Sequence, residues 1–205
     1  MAARGFDTTG NCAPHIAAIK AAGYSFVARY SSHSAWKNMT KTEVQALSRA
    51  RIHVVNVWET RGDHVGFFTH AQGLLDGAAA FAFAQHIGQP ISSPIYFAVD
   101  TDVSAADRSA YVLPYFQGVR ESFQRHGAIG VHAYKVGVYG SGAVCDQLKQ
   151  AGYVSYAWLA QSAGWEGFHS FSGWNLKQLA AISFNGLSVD EDVSSGNGGG
   201  FLVSA

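Results

Sequence analysis

Two aspartates, separated by one residue, end an apolar stretch near the middle of the chain. The stretch is Pro94–Val99, and Asp100 and Asp102 follow it. Its β-branched and aromatic residues predict a short buried strand of a parallel sheet. Side chains two residues apart on an extended chain point the same way, so we expect both carboxyls on one side. Two like charges at the end of an apolar strand cost stability, which indicates a site rather than a scaffold.

Other acidic residues follow predicted strands in the same way. Six acids lie at the ends of predicted strands 1, 3, 4 and 8, namely Asp7, Glu59, Asp100, Asp102, Asp190 and Asp192. In a barrel of parallel strands these ends form one face, where active sites lie. A single strand-end acid can simply cap the next helix or hold a turn. Six of them on one face predict a carboxylate-lined site.

Such a cluster suits two chemistries. In glycoside cleavage, one carboxylic acid protonates the leaving oxygen and a second carboxylate stabilises positive charge or assists the nucleophile. Crowded carboxylates raise one another's pKa, which keeps one of them protonated near neutral pH. The alternative is a hard divalent cation held by oxygen ligands. The histidines are scattered, and even His64 and His70 lack the spacing of a helical pair. We therefore favour sugar chemistry and expect neither a metal nor a cofactor.

Aromatic side chains on the predicted strands fit a sugar ligand. Trp58, Tyr139 and Trp158 lie near strand ends, and a flat ring with a polar handle suits the apolar face of a sugar. The alternative is that these rings fill the barrel. Arg29 lies inside an apolar strand and needs a partner. A strand-end carboxylate such as Asp7 and a carboxylate of the substrate are both candidates.

The elements that must position these residues alternate regularly. Eight strands with helices between most of them predict a (β/α)8-type TIM barrel, an α/β fold. The gaps at 162–173 and 180–186 are too short for full helices, so the last units should be reduced. An open doubly wound sheet is the competing architecture, but no Gly-x-Gly-x-x-Gly turn follows the first strand. We expect one barrel domain over residues 1–195 and a flexible tail over 196–205.

Local signals sharpen this assignment. Thr40 and Glu43 form the pattern of a capping box at the start of a helix. Pro114 lies inside a helical pattern and predicts a kink or a split. The two cysteines, Cys12 and Cys145, fall on opposite sides of the predicted barrel, so we expect no disulfide between them.

Composition limits the partners. The chain of 205 residues is 48% hydrophobic and 14% charged, with a formal net charge of zero and no Lys/Arg run. Nucleic acid and anionic membrane surfaces are therefore poor candidates. No apolar run is long enough to span a bilayer. No signal peptide is recognisable, so we expect a cytoplasmic protein or a mature domain of an exported one.

An ordered set of short motifs resembles one family. Its motifs are Gly5-Phe6-Asp7, Phe26–Tyr30, Ile95–Asp102, Val138–Ser141, Ala157–Ala160 and Gln178 with Val189-Asp190. Together, over about residues 3–194, they resemble bacterial glycoside-hydrolase-like barrels related to the family 25 lysozymes. The resemblance implies an N-acetylmuramidase-like protein that acts on peptidoglycan at the cell envelope or outside the cell, and we expect a monomer.

The same resemblance implies roles for individual residues. Asp102 takes the place of the general acid, and Asp100 that of the acid that stabilises the oxocarbenium ion or orients the substrate acetamide. Asp7 and Asp190 match the acids of the first and last strands. The expected substrate contacts are Arg29, Trp58, Glu59, Tyr139, Trp158, Gln178 and Asp192. Family 25 lysozymes have Asp-x-Glu where this chain has Asp-Thr-Asp, so a catalytically inactive glycan-binding barrel is the alternative.

Overall fold

Eight strands close into a single barrel in chain order, which confirms the predicted fold class. The computed structural model describes residues 2–127 and 134–204, so Met1, residues 128–133 and Ala205 lie outside the described part. The strands are β1 (Arg4–Thr8), β2 (Phe26–Ser31), β3 (His53–Trp58), β4 (Pro94–Ala98), β5 (Lys135–Gly140), β6 (Tyr156–Leu159), β7 (Leu176–Phe184) and β8 (Leu187–Ser194).

Helices cover the outside of the first five connections. They are α1 (Ile16–Ala21), α2 (Lys41–Arg49), α3 (His70–Ile87), α4 (Ala105–Asp107), α5 (Leu113–His126) and α6 (Gly142–Gln150). No helix in the described part of the chain is both long and apolar enough to cross a membrane. As predicted, the connections after β6 and β7 carry no helix.

Two local predictions are confirmed. Thr40 accepts a hydrogen bond from the backbone N–H of Glu43 and the Glu43 carboxylate accepts one from that of Thr40, which completes the capping box. The long helical pattern around Pro114 is split, because a π-helical turn over Arg108–Val112 separates α4 from α5. Cys12 and Cys145 are free and buried.

Strand alternation sorts the side chains between the barrel interior and the helix layer. On β3, Val55 and Val57 pack inside with Tyr96 and Trp158. Trp58 instead packs outside, among the residues of α3 and α5. This inward set forms the apolar floor below the barrel mouth.

The last strand corrects one expectation. β8 runs antiparallel to both β7 and β1, whereas regular βα alternation predicts a fully parallel barrel. Asn185 and Gly186 form the connection, with φ of 48° and 85°. Both values are left-handed, as a two-residue type I′ hairpin turn requires. The last unit is therefore a β-hairpin, and the acids of β8 are placed by its register rather than by a strand end.

The segment after β8, predicted as a flexible tail, packs against the base of the barrel. Phe201 is 5% exposed and its backbone pairs with Val54 at the base of β3. The hydroxyl of Tyr96 donates to the carbonyl of Gly198 at 2.9 Å. The glycines that suggested flexibility let the chain lie flat, since a Cβ at Gly199 would collide with the ring of Pro94. The segment closes the bottom of the barrel.

Candidate functional site

A polar pocket opens at the barrel mouth, opposite the tail. Its volume is about 190 Å³. Residues from β2 to β8 line it, namely Tyr30, Val57, Glu59, Ala98, Asp100, Tyr139, Trp158, Gln161, Ser162, Gln178 and Asp190. Three lining residues are acids and none is Lys, Arg or His. The pocket therefore presents negative charge and phenol and amide groups to a ligand.

Gln178 connects the acids of the first and last strands. Its Nε2 donates to Asp7 Oδ2 at 2.8 Å and to Asp190 Oδ2 at 3.3 Å. Its Oε1 accepts a hydrogen bond from the Tyr139 hydroxyl at 2.8 Å. Tyr30 donates to the other oxygen of Asp7 at 3.0 Å. Both Asp7 oxygens are thus satisfied, which holds this buried carboxyl in one orientation.

Burial and crowding raise the pKa of three of these acids. Burial raises the pKa of Asp7 to about 7, partly offset by the hydrogen bond from Gln178 and reinforced by Asp190. The pKa of Asp100 is also raised, first by burial and then by the charge of Glu59. Burial raises the pKa of Asp190 as well. The site therefore holds carboxylic acids that keep their protons to a higher pH than free aspartate does.

Glu59 is balanced by a nearby cation. Lys37, on the loop after β2, donates from Nζ to Glu59 Oε2 at 2.6 Å. The same ammonium lies 5.1 Å from the centre of the Tyr30 ring. Only 10% of the Lys37 side chain is exposed, so this pair is shielded from solvent more than a surface pair is. Among the acids that line the pocket, Glu59 is the one paired with a cation of the described residues.

Asp192 lies below the pocket and is 1% exposed. Its Oδ1 accepts a hydrogen bond from Trp158 Nε1 at 2.9 Å, while its Oδ2 is buried with no partner among the described residues. Burial and the neighbouring Asp7 raise its pKa well above the usual range. Trp158 itself stacks edge to face on Tyr139, with ring centres 5.2 Å apart. Asp192 therefore anchors a lining indole from beneath.

Asp102 does not line the pocket. Its Oδ1 accepts a hydrogen bond at 3.2 Å from the backbone N–H of Glu166, in the loop after β6. Regular strand structure stops at Ala98, so the alternation that predicts parallel carboxyls at Asp100 and Asp102 does not continue to these residues. A larger groove of about 710 Å³ lies beside this loop, lined by Glu166 and residues of α6, but it contains no comparable set of converging acids.

The predicted partner of Arg29 is wrong. Arg29 is 2% exposed and points outward from β2, where its Nε donates to Glu43 Oε1 at 2.7 Å. Its Nη1 donates to the carbonyl of Thr8, and Glu43 also accepts from the backbone N–H of Cys12 at 2.8 Å. Interior positions of β2 alternate with Arg29, so this side chain has no path to Asp7. The pair fastens α2 and the loop after β1 to the barrel.

Trp58 is likewise placed away from the pocket. It is 3% exposed in the outer core and stacks edge to face on His33 at 5.0 Å. The next residue, Glu59, does line the pocket. At the end of β3 a shift of one position thus separates a packing residue from a site residue.

Sequence reasoning missed several lining or supporting residues, namely Tyr30, Lys37, Gln161 and Ser162. Tyr30 has a usable signal, because it alternates with Arg29 and an inward phenol must lie one position from an outward arginine. Lys37 and Gln161 lie on loops, where the residue type alone does not indicate which way the side chain points.

A barrel with acids from β1, β3, β4 and β8 gathered at its mouth is the arrangement of a glycoside-hydrolase-like protein. Residues 17–193 match the family model described as the Rv2525c-like, glycoside hydrolase-like domain. The chain belongs to this family, which confirms the resemblance drawn from the motifs.

Other comparisons agree on the fold. The uncharacterized protein FadG of Bacillus subtilis is 28% identical over 190 residues, which is 87% of this chain and 32% of FadG. The chain thus spans about a third of that relative. The Tat-secreted protein Rv2525c of Mycobacterium tuberculosis superposes with a TM-score of 0.78, at 21% identity over 97% of this chain and 98% of that one. A family GH25 lysozyme from Aspergillus fumigatus gives 0.51, at 12% identity over 96% and 95%.

Proposed function

We propose that this domain hydrolyses a β-linked amino-sugar polymer, with peptidoglycan as the substrate class. The observation that carries the proposal is the convergence of Glu59, Asp100 and Asp190 on one pocket that has no lining cation. A developing oxocarbenium ion is positive, and fixed carboxylates at the mouth stabilise that charge. The lysozyme-like barrel is consistent with the same substrate class.

The geometry favours Asp100 as the general acid. It lies at the exposed rim and its pKa is raised, so it keeps a proton and can reach a leaving-group oxygen. Asp190 lines the same pocket from β8 and is the candidate carboxylate for stabilising positive charge. Asp7 is buried behind them and is linked to Asp190 through Gln178. Asp102, which takes the position of the acid by resemblance, holds the loop at Glu166 instead.

Release of reducing ends from purified peptidoglycan and from chitin oligomers tests this proposal. Asp100→Asn should lower kcat by at least about a hundredfold, because general acid catalysis contributes on that order. Asp102→Asn is the matched variant and should lower it far less, since the amide still accepts the Glu166 N–H bond. A larger loss of kcat in Asp102→Asn than in Asp100→Asn would make Asp102 the acid. If the unaltered protein releases no reducing ends, hydrolysis of these polymers is excluded.

A non-catalytic glycan-binding role is the second candidate, and one observation favours it. The carboxyl at the position of the family acid is engaged with a backbone amide rather than free in the pocket. Calorimetric titration with peptidoglycan fragments separates the two roles. Binding that is lost in Tyr139→Ala, with no reducing ends released, would support the binding role.

Location and assembly follow as parts of the same proposal. A peptidoglycan substrate requires a domain exposed at the cell envelope or outside the cell, and the similar barrel of Rv2525c is a Tat-secreted protein. We propose that the barrel acts as a monomer, because residues of a single chain suffice to form the pocket. Size-exclusion chromatography with light scattering and fractionation of expressing cells test these two points.

A further inference from the structure

Asp192 is a buried acid that the proposed reaction does not use directly. It is 1% exposed, two residues deeper on β8 than Asp190, and level with Gly5 of the neighbouring strand. An ionised carboxylate at this depth needs several donors. Trp158 supplies one, to Oδ1, and Oδ2 has no partner among the described residues.

Among the described residues, the surroundings contain no cation that could balance a charge. The groups that act electrostatically on Asp192 or face it across the barrel are Asp7 on β1, Tyr96 on β4, Tyr139 on β5, Trp158 on β6, Gln178 on β7 and Asp190 on β8. All of these are acids or neutral groups. The position therefore favours the neutral form of the carboxyl.

Asp7 is the acceptor that completes the arrangement. On the paired strands β1 and β8, Asp7 faces Asp190 and Gly5 faces Asp192, so Asp7 and Asp192 are diagonal neighbours on the interior face. Tyr30 and Gln178 each donate one hydrogen bond to Asp7, and a carboxylate oxygen can accept a further one. A proton on Asp192 Oδ2 would give that atom a partner and give Asp7 a third donor.

We propose that Asp192 is a permanently protonated positioning residue, whose Oδ1 accepts from Trp158 and whose Oδ2–H donates to Asp7. One neutral carboxylic acid then orients both a lining indole and the deepest acid of the site. This positioning role rests on the proposed function. The experiments that test it measure a protonation state and an indole hydrogen bond. They can therefore support or contradict the role of Asp192 even if no glycan is cleaved.

Infrared spectroscopy of the unaltered protein tests the protonation state. At a pH well above the value of about 7 that belongs to Asp7, the carbonyl stretch of one protonated carboxylic acid should remain. It should disappear in Asp192→Asn and persist in Asp190→Asn. Absence of the band in the unaltered protein would overturn the proposal, whether or not the variants fold.

Rescue by a neutral isostere separates positioning from simple packing. Asparagine keeps an acceptor for Trp158 and a donor for Asp7, so Asp192→Asn should leave the Trp158 indole N–H resonance unchanged. It should flatten the fall of stability with rising pH, because above about pH 4 the unfolded chain releases the Asp192 proton and the folded chain keeps it. Asp192→Ala should shift that resonance and raise the unfolding equilibrium constant on the order of tenfold or more. An unchanged pH dependence in Asp192→Asn would show that folded Asp192 releases its proton as the unfolded chain does, which contradicts the proposal.

Discussion

The amide of Gln178 lies 2.8 Å from Asp7 Oδ2 and supplies one of the hydrogen bonds that fix this carboxyl. Gln178→Met keeps the length of the side chain and removes this donor. The variant should raise the pKa of Asp7 further, because the bond from Gln178 lowers it. It should also lower the free energy of unfolding by about 1–3 kcal/mol, the cost of leaving buried partners unsatisfied. NMR titration and urea unfolding measure the two effects.

Gln150 offers a matched control for that change. It makes a hydrogen bond of the same length, 2.8 Å, to Asp146 on the exposed face of α6. Gln150→Met should change the free energy of unfolding by less than about 0.5 kcal/mol. Equal effects of the two substitutions would mean that Gln178 does not hold Asp7.

Stability should fall as the pH rises from about 4 to about 7. The pKa of Asp7 is about 7 in the folded chain and 3.8 in the unfolded one, so in this interval the unfolded chain releases a proton that the folded chain keeps. Each unit of difference between the folded and unfolded pKa values changes the free energy of unfolding by about 1.4 kcal/mol. Asp7→Asn should flatten this part of the profile and stabilise the protein at pH 8. Thermal unfolding across the range measures it, and an unchanged slope would contradict the assignment.

Breaking the buried pair of Arg29 and Glu43 should be costly. Arg29→Met leaves a carboxylate that is almost fully buried without its cation, and we expect a loss of about 3–5 kcal/mol in the free energy of unfolding. The pair of Arg4 and Glu191 is the control, because 58% of the Arg4 side chain is exposed. Arg4→Met should cost no more than about 1 kcal/mol. Urea unfolding measures both, and similar losses would show that burial of the first pair adds nothing.

The hairpin turn should tolerate side chains poorly for conformational reasons alone. Gly186 has a φ of 85° and open space around its Cβ position, so Gly186→Ala changes only the backbone preference. We expect a loss of about 1–2 kcal/mol, the cost of the left-handed conformation for an L-residue. Gly164 also has open space but no positive φ, and Gly164→Ala should not destabilise. Denaturant unfolding of the two variants separates strain from crowding.

Much of the barrel is predictable because its signals are local. Period-two strands, the capping box at Thr40 and the break near Pro114 each depend on neighbours along the chain. The direction of β8 also has a local signal, because Asn185-Gly186 is typical of a hairpin turn. In a parallel barrel the same two residues would belong to a connection between two βα units. Regular βα alternation therefore predicts the wrong direction for β8.

The site is less predictable because it depends on which way single side chains point. Glu59 and Trp58 are neighbours in sequence, yet only Glu59 lines the pocket. Asp102 follows Asp100 at strand spacing, but the strand has already ended at Ala98. Arg29 pairs with Glu43, whose sequence pattern indicates only a helix cap. Strand register and the path of the loops decide where these three side chains point, and amino-acid composition does not determine either.

The hairpin makes the eighth strand the least tolerant of insertion. On β1 to β6 a loop may lengthen after the strand without moving the acid before it. On β8 the inward direction of Asp190 depends on the number of residues that separate it from the turn at Asn185-Gly186. It also depends on the bulge between Gln178 and Ala181 on β7. One residue added between turn and acid would point Glu191 inward and turn Asp190 outward. Libraries built on this scaffold should therefore vary the first loops freely and keep the length of the hairpin constant.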